Sequence, residues 1–148
     1  MGKTRMKLRI GAVSSHLVDI VWDQVVPHLE RVVKVAHGEI TLDSVKDQLI
    51  KGDALLITIS DGPDIIAVNT LEVRNLSSGL KVLYIPITGG DRMDEWMDEF
   101  LKVAQAVAKD FNCTRLRGLA VRKGWMRVLK QHDWHEVHTV IECNLERE

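Results

Sequence analysis

Two glutamates, Glu72 and Glu142, lie at positions that read as strands and are possible general bases. No motif surrounds either. The sole tyrosine, Tyr84, reads as one residue of an amphipathic sheet, with a place on the wall of a cleft as the alternative. His132, His135 and His138 lie in the run His-Asp-Trp-His-Glu-Val-His. Their spacing is neither that of a helical zinc pair nor that of a zinc finger. A strand starting near Glu136 sends the three rings to different places, so the run reads as a solvated junction and no metal site is expected. The two cysteines, Cys113 and Cys143, form no CxxC pair and read as reduced thiols of an intracellular protein.

Basic residues gather in the C-terminal third, as Arg115, Arg117, Arg122, Lys123, Arg127 and Lys130. Arg115 and Arg117 share a strand face, and Arg127 and Lys130 share a helix face. A solvated face is the plain reading, and contact with an acidic partner is the sharper one. Trp125 stands beside Gly124 among these cations, as a large anchor at an interface would. Acids crowd an earlier segment: Asp91, Asp94, Glu95, Asp98 and Glu99. Opposed acidic and basic patches suit association with a protein partner or with further copies of the chain.

The elements that must position these residues follow from periodicity. A strand is expected at Met6–Val13 and a helix from about His16 to Ala36, where Val18, Val21, Val25, Leu29 and Val32 form one apolar stripe. Pro27 should kink or divide that helix. Thr41 is placed as the N-cap of a short helix that Gly52 ends. Apolar runs at Ala54–Ser60, Ile65–Val73 and Leu80–Thr88, joined by turns, make an antiparallel meander. In the third run Val82, Tyr84 and Pro86 should face one way, and Leu83, Ile85 and Ile87 the other. Gly89-Gly90-Asp91 should break the strand before a helix carrying Met93, Trp96, Met97, Phe100, Leu101 and Ala104. A strand at Thr114–Val121, a helix at Lys123–His132 and a last strand at Glu136–Leu145 follow. The order is β-α-α-β-β-β-α-β-α-β, an α/β (α+β) domain with a mixed sheet and helices on both faces.

The totals agree with one such domain over residues 1–148. The chain has 148 residues, is 45% hydrophobic and 28% charged, and carries a formal charge of -1. A balance so near neutral argues against a general nucleic-acid-binding surface. The basic start is followed by no long apolar run, so it reads as neither signal peptide nor anchor. No stretch reaches the roughly 18 apolar residues of a membrane span. A cytoplasmic protein that meets no membrane is expected.

The element order, with Cys113-Thr114-Arg115-Leu116 opening a strand and the segment from Arg122 to Trp134 after it, resembles the GNAT family of N-acetyltransferases over nearly the whole chain. Within that resemblance, proteins encoded by bacteriophages are similar in flavour, and those include virion components. The resemblance implies acetyl-coenzyme A (acetyl-CoA) held on backbone N–H groups at a helix start, in the pattern Arg/Gln-x-x-Gly-x-Gly/Ala. Here that pattern falls on Arg92-Met93-Asp94-Glu95-Trp96-Met97, so Arg92 matches and both glycines are missing. The nearby glycines, Gly89 and Gly90, precede it; together with Arg92 they are the cofactor-binding residues left to the chain. The tyrosine that protonates the leaving thiolate in many such enzymes is replaced by Leu129, which has no proton to give. Two charges about 4 Å apart interact by roughly 4 kcal/mol at an effective dielectric near 20. A helix start offers an anion only about 0.3–1 kcal/mol. The expectation is therefore a non-catalytic GNAT-like assembly or interaction module without a cofactor, using Arg122, Lys123, Trp125, Arg127 and Lys130. The alternative is an N-acyltransferase that uses acetyl-CoA.

Overall fold

The computed structural model describes residues 8–119 and 123–146. Strand β1 (Leu8–Val13) is followed by a single 3-10 turn, helix α1 (Val18–Val35) and helix α2 (Leu42–Lys51). Strands β2 (Leu55–Asp61), β3 (Asp64–Asn75) and β4 (Lys81–Gly90) come next, then helix α3 (Met93–Asp110), strand β5 (Arg115–Gly118) and helix α4 (Lys123–Lys130). The five strands form one sheet in sequence order, antiparallel except for the parallel β4–β5 pair. Among the described residues no helix is long and apolar enough to cross a membrane.

Local chemistry explains the elements. The Thr41 side chain accepts from the Ser44 N–H at 3.0 Å and the Ser44 hydroxyl accepts from the Thr41 N–H at 2.9 Å, a reciprocal cap that starts α2. Gly52 ends it in the left-handed region at φ 81°. Pro27 lies inside α1 without dividing it. The missing N–H costs one bond of the ladder, and the buried Val18, Val25 and Leu29 hold both halves to the same sheet.

The sheet separates two apolar layers. Ile57, Ile59, Ala67, Leu71, Leu83 and Ile85 pack with Trp96, Phe100 and Ala104 of α3. Leu56, Val68 and Ile87 pack on the other side with Val25 and Leu29 of α1 and Val45 and Leu49 of α2. Each large side chain so buried contributes about 1.5–3 kcal/mol.

Strand β4 breaks the expected alternation. Thr70 opposes Ile87 and Glu72 opposes Tyr84, so Leu71 alone faces two residues, Ile85 and Pro86. This is a bulge, and Pro86 fits it because it has no N–H to give to a ladder. The extra residue flips the rest of the strand. Leu83 and Ile85 face α3, whereas Ile87 faces α1. Gly89 and Gly90 do not break the strand as expected but complete it, opposite Val68 and Ala67.

The last expected strand does not form: residues 134–146 adopt no regular element. Val140, Ile141 and Leu145 stand 78–89% exposed.

Candidate active site

Two features of the backbone meet at the end of β4. The first is an open edge. Val82 pairs with Arg115, and the parallel ladder ends at Ile85 and Gly118. Strand β4 then runs on through the bulge to Gly90 with no strand partner on that side among the described residues. Such an edge presents N–H and C=O groups to whatever extended group lies along it.

The second feature is the start of α3. Arg92, its N-cap residue, is left-handed at φ 60°, and no side chain caps this end. The first-turn N–H groups thus lack a side-chain acceptor, at the positive end of a helix 18 residues long. The turn is pinned around them. The Asp91 N–H donates to Ile66 O at 2.9 Å, and the buried Trp96 indole N–H donates to Asp91 O at 2.8 Å.

The glycines have packing reasons. A Cβ on Gly89 would lie 2.7 Å from Val32 Cγ2 and 3.0 Å from His28 O. Gly90 sits at φ 132°, and a Cβ there would lie 2.4 Å from Ala67 Cα. Both keep the end of β4 tight against α1 and β3. The Arg92 guanidinium is engaged as well, donating to Asp61 Oδ2 at 2.6 Å and to Glu95 Oε2 at 2.8 Å.

These pairings offset part of the expected ring of acids. Asp91 is held by Arg31 at 3.1 Å, and Asp61 and Glu95 by Arg92. The hydrogen bond from Arg31 holds the Asp91 carboxyl below the usual carboxylate range, and that from Arg92 does the same for Glu95. Asp98 contacts His132 Nε2 at 2.9 Å and Glu99 contacts Lys102 at 3.3 Å. Both lie roughly 8–9 Å along the helix axis from its start, exposed to water and about one Debye length away. Asp94 is left as the single unpaired carboxylate of the first turn among the described residues. Counting formal charges in sequence missed Arg31 because it comes from α1, 60 residues away. His28 was missed too. It is buried, with Nε2 2.9 Å from Ile65 O, and it fixes α1 to β3.

Below the open edge, on the face toward α1, lies a polar row. Glu72, Tyr84 and Arg117 are neighbours across β3, β4 and β5, and Arg74, Val82 and Arg115 form the next row. Leu116, between the two arginines, packs with the α3 layer, which sets their side chains on the opposite face. Arg74 Nη2 donates to Glu72 Oε1 at 2.8 Å, and its guanidinium carbon lies 3.7 Å from the centre of the Tyr84 ring. Burial pushes the Tyr84 hydroxyl above its ordinary value; Arg74 opposes this and Glu39 adds to it. Arg117 Nε is buried without a hydrogen-bond partner. On the α3 face, the fully buried Asn69 opposite Thr88 leaves both polar atoms of its side chain unpartnered.

Other expected residues lie elsewhere. Arg122 is outside the described residues, and Lys123 and Trp125 belong to α4. Arg127 and Lys130 are exposed on that helix, and Leu129 is buried. Glu142 is exposed in the irregular C-terminal segment and does not join Glu72. No group of three His, Cys, Asp or Glu residues among those described is placed to hold a metal ion.

No family model matches the sequence, and no curated protein does. Solved structures do match, over nearly the full length of both chains. One is described as a predicted acetyltransferase with acetyl-CoA from Clostridium acetobutylicum, with a TM-score of 0.70, 13% identity, and coverage of 94% of this chain and 97% of that one. Another is an aminoglycoside acetyltransferase from an uncultured soil metagenomic sample in complex with sisomicin, with a TM-score of 0.68, 11% identity and 95% and 97% coverage. A third is a ribosomal-protein-alanine N-acetyltransferase from Brucella melitensis, with a TM-score of 0.66, 11% identity and 92% and 100% coverage. The fold is GNAT-like. These neighbours overturn the expectation of a non-catalytic module without a cofactor, since they are acetyltransferases and one holds acetyl-CoA.

Proposed function

We propose that this chain is an acetyl-CoA-dependent N-acyltransferase that moves an acetyl group to an amine. One observation carries the reading. The parallel β4–β5 pair ends at Ile85 and Gly118, and there β4 bulges and runs on with an open edge toward an uncapped helix start. Coenzyme A has an extended arm with two amides and ends in a diphosphate. An unpaired strand edge suits the amides, and the first-turn N–H groups of α3 suit the diphosphate. Gly89, Gly90 and Arg92 set that helix start against the end of β4. Arg92 would supply a cation at that helix start, though its side chain first serves Asp61 and Glu95.

Acetyl-CoA, when bound, supplies an activated acetyl thioester. The chain's own residues must handle protons and charge. An amine attacks only as its free base, so a carboxylate near the bulge is needed to take its proton. Glu72 is that group, partly buried and hydrogen-bonded to Arg74. The departing thiolate needs a donor that is protonated at neutral pH. Tyr84 fits, because burial keeps the proton on its Oη. It stands directly across from Glu72, one residue before the bulge.

Titration calorimetry tests the cofactor, and thiol release with a panel of amines tests the transfer. A micromolar dissociation constant for acetyl-CoA and amine-dependent thiol release are expected. No heat up to millimolar acetyl-CoA, together with no thiol release, would refute the reading.

A further inference from the structure

We infer that the acceptor is a small primary amine that also carries an anionic group, a carboxylate or a phosphate, recognised by Arg115 and Arg117; this rests on the acetyl-transfer reading above. Three guanidiniums, Arg74, Arg115 and Arg117, occupy two neighbouring rows of one sheet face. Only Arg74 is neutralised within them, by Glu72 at 2.8 Å. Arg115 and Arg117 form no salt bridge with any described residue, and Arg117 holds a buried Nε with no acceptor. A buried guanidinium nitrogen without an acceptor is costly, and a bound oxyanion would satisfy it.

The position argues for the acceptor rather than for the coenzyme. Arg117 pairs with Tyr84, and the α3 start follows Gly90 at the far end of β4. Six residues of strand span about 20 Å, which is too far for these arginines to serve a diphosphate at that helix. Glu72 and Arg117 flank Tyr84 on adjacent strands. Strands about 4.8 Å apart place their backbones roughly 10 Å from each other. One small molecule can therefore touch the carboxylate with its ammonium and the guanidinium with its anion. A polyamine would meet two uncompensated cations there.

Thiol release at fixed acetyl-CoA should be compared for glycine against glycinamide and for phosphoethanolamine against ethanolamine, with spermidine as the cationic control. Glycinamide has the less basic amine, so a preference for glycine reports recognition of the anion. The anionic member of at least one pair is expected to have the higher kcat/KM by about 10- to 100-fold, the size of a charge-assisted hydrogen bond. Which pair responds separates carboxylate from phosphate. In Arg115→Gln/Arg117→Gln the ratio should fall to about one, with KM for acetyl-CoA unchanged. Equal ratios in the wild type, a preference for spermidine, or an unchanged ratio in the double variant would overturn the inference. If no amine is turned over, a thermal shift decides it independently of transfer. Phosphoethanolamine or glycine at millimolar concentration should raise the Tm of the wild type and not of the double variant. No difference would sink the inference, whereas no heat with acetyl-CoA together with no thiol release would sink only the transfer reading.

Discussion

Tyr84 is the proposed proton donor to the thiolate, and it is the chain's only tyrosine, so its ionisation can be followed without interference from another phenol. Its absorbance titration should have a midpoint above the ordinary 10.0, because burial disfavours the phenolate. Arg74 acts in the opposite sense, so Arg74→Met should move the midpoint higher still; a midpoint at or below 10.0 in the wild type would contradict the burial argument. Tyr84→Phe should lower kcat by about 100-fold, within the usual range for losing an acid–base group, with acetyl-CoA affinity retained. A kcat within about threefold of the wild type would remove Tyr84 from the reaction. Asn69 makes a separate case. Its amide is buried without a partner, so Asn69→Leu should cost nothing and raise Tm by about 2–4 °C if the group has no ligand. A fall in Tm would show a hydrogen bond there that the present geometry does not contain. Residue chemistry was only partly legible in sequence. Glu72 read as a possible base without a motif and Tyr84 as a sheet residue, and their pairing across β3 and β4 depends on a register displaced by the bulge. Arg117 read as one more surface cation until the parallel ladder set it beside Tyr84.

At the scale of elements, β4 organises the site, and its far end depends on two glycines. Gly90→Ala would force a Cβ to 2.4 Å from Ala67 Cα and hold an L residue at φ 132°. A destabilisation above about 3 kcal/mol is expected in denaturant unfolding, beyond the usual range of point mutations. A loss under about 1 kcal/mol would mean that β3 and β4 are not packed this closely. Helix α2, its Thr41 cap and its Gly52 stop were readable because capping is local chemistry. The course of α1 through Pro27 was not, because packing against the sheet outweighs one missing hydrogen bond. The bulge carried a signal, Pro86 in a central strand, which periodicity alone passes over.

For the whole molecule, charge distribution matters more than charge count. The chain is nearly neutral overall, and two guanidiniums offset part of the charge of the four carboxylates around the α3 start, Asp61, Asp91, Asp94 and Glu95. Arg31 of α1 reaches Asp91, and Arg92 reaches back to Asp61 of β2. The carboxyls of Asp91 and Glu95 lie below their ordinary values of 3.8 and 4.5 in the folded chain. Their stabilisation is therefore fully present above those values and lost as pH falls through the lower, folded ones. Tm of the wild type should drop on acidification below about pH 4.5, and the drop should be shallower in Arg31→Met/Arg92→Met. Parallel curves would mean that these exposed pairs contribute nothing, as many do. Acids are visible in a sequence, but a partner such as Arg31, brought to Asp91 from 60 residues away, is not.

In the proposed reaction the open edge of β4 and the uncapped start of α3 act as one cradle. Backbone amide NMR during titration with acetyl-CoA addresses it residue by residue. Saturable shifts are expected at Ile87, Thr88, Gly89 and Gly90 and at Met93 and Asp94, with little change along β1 or at the outer face of α2. Shifts confined to other surfaces, or none at millimolar acetyl-CoA, would contradict it.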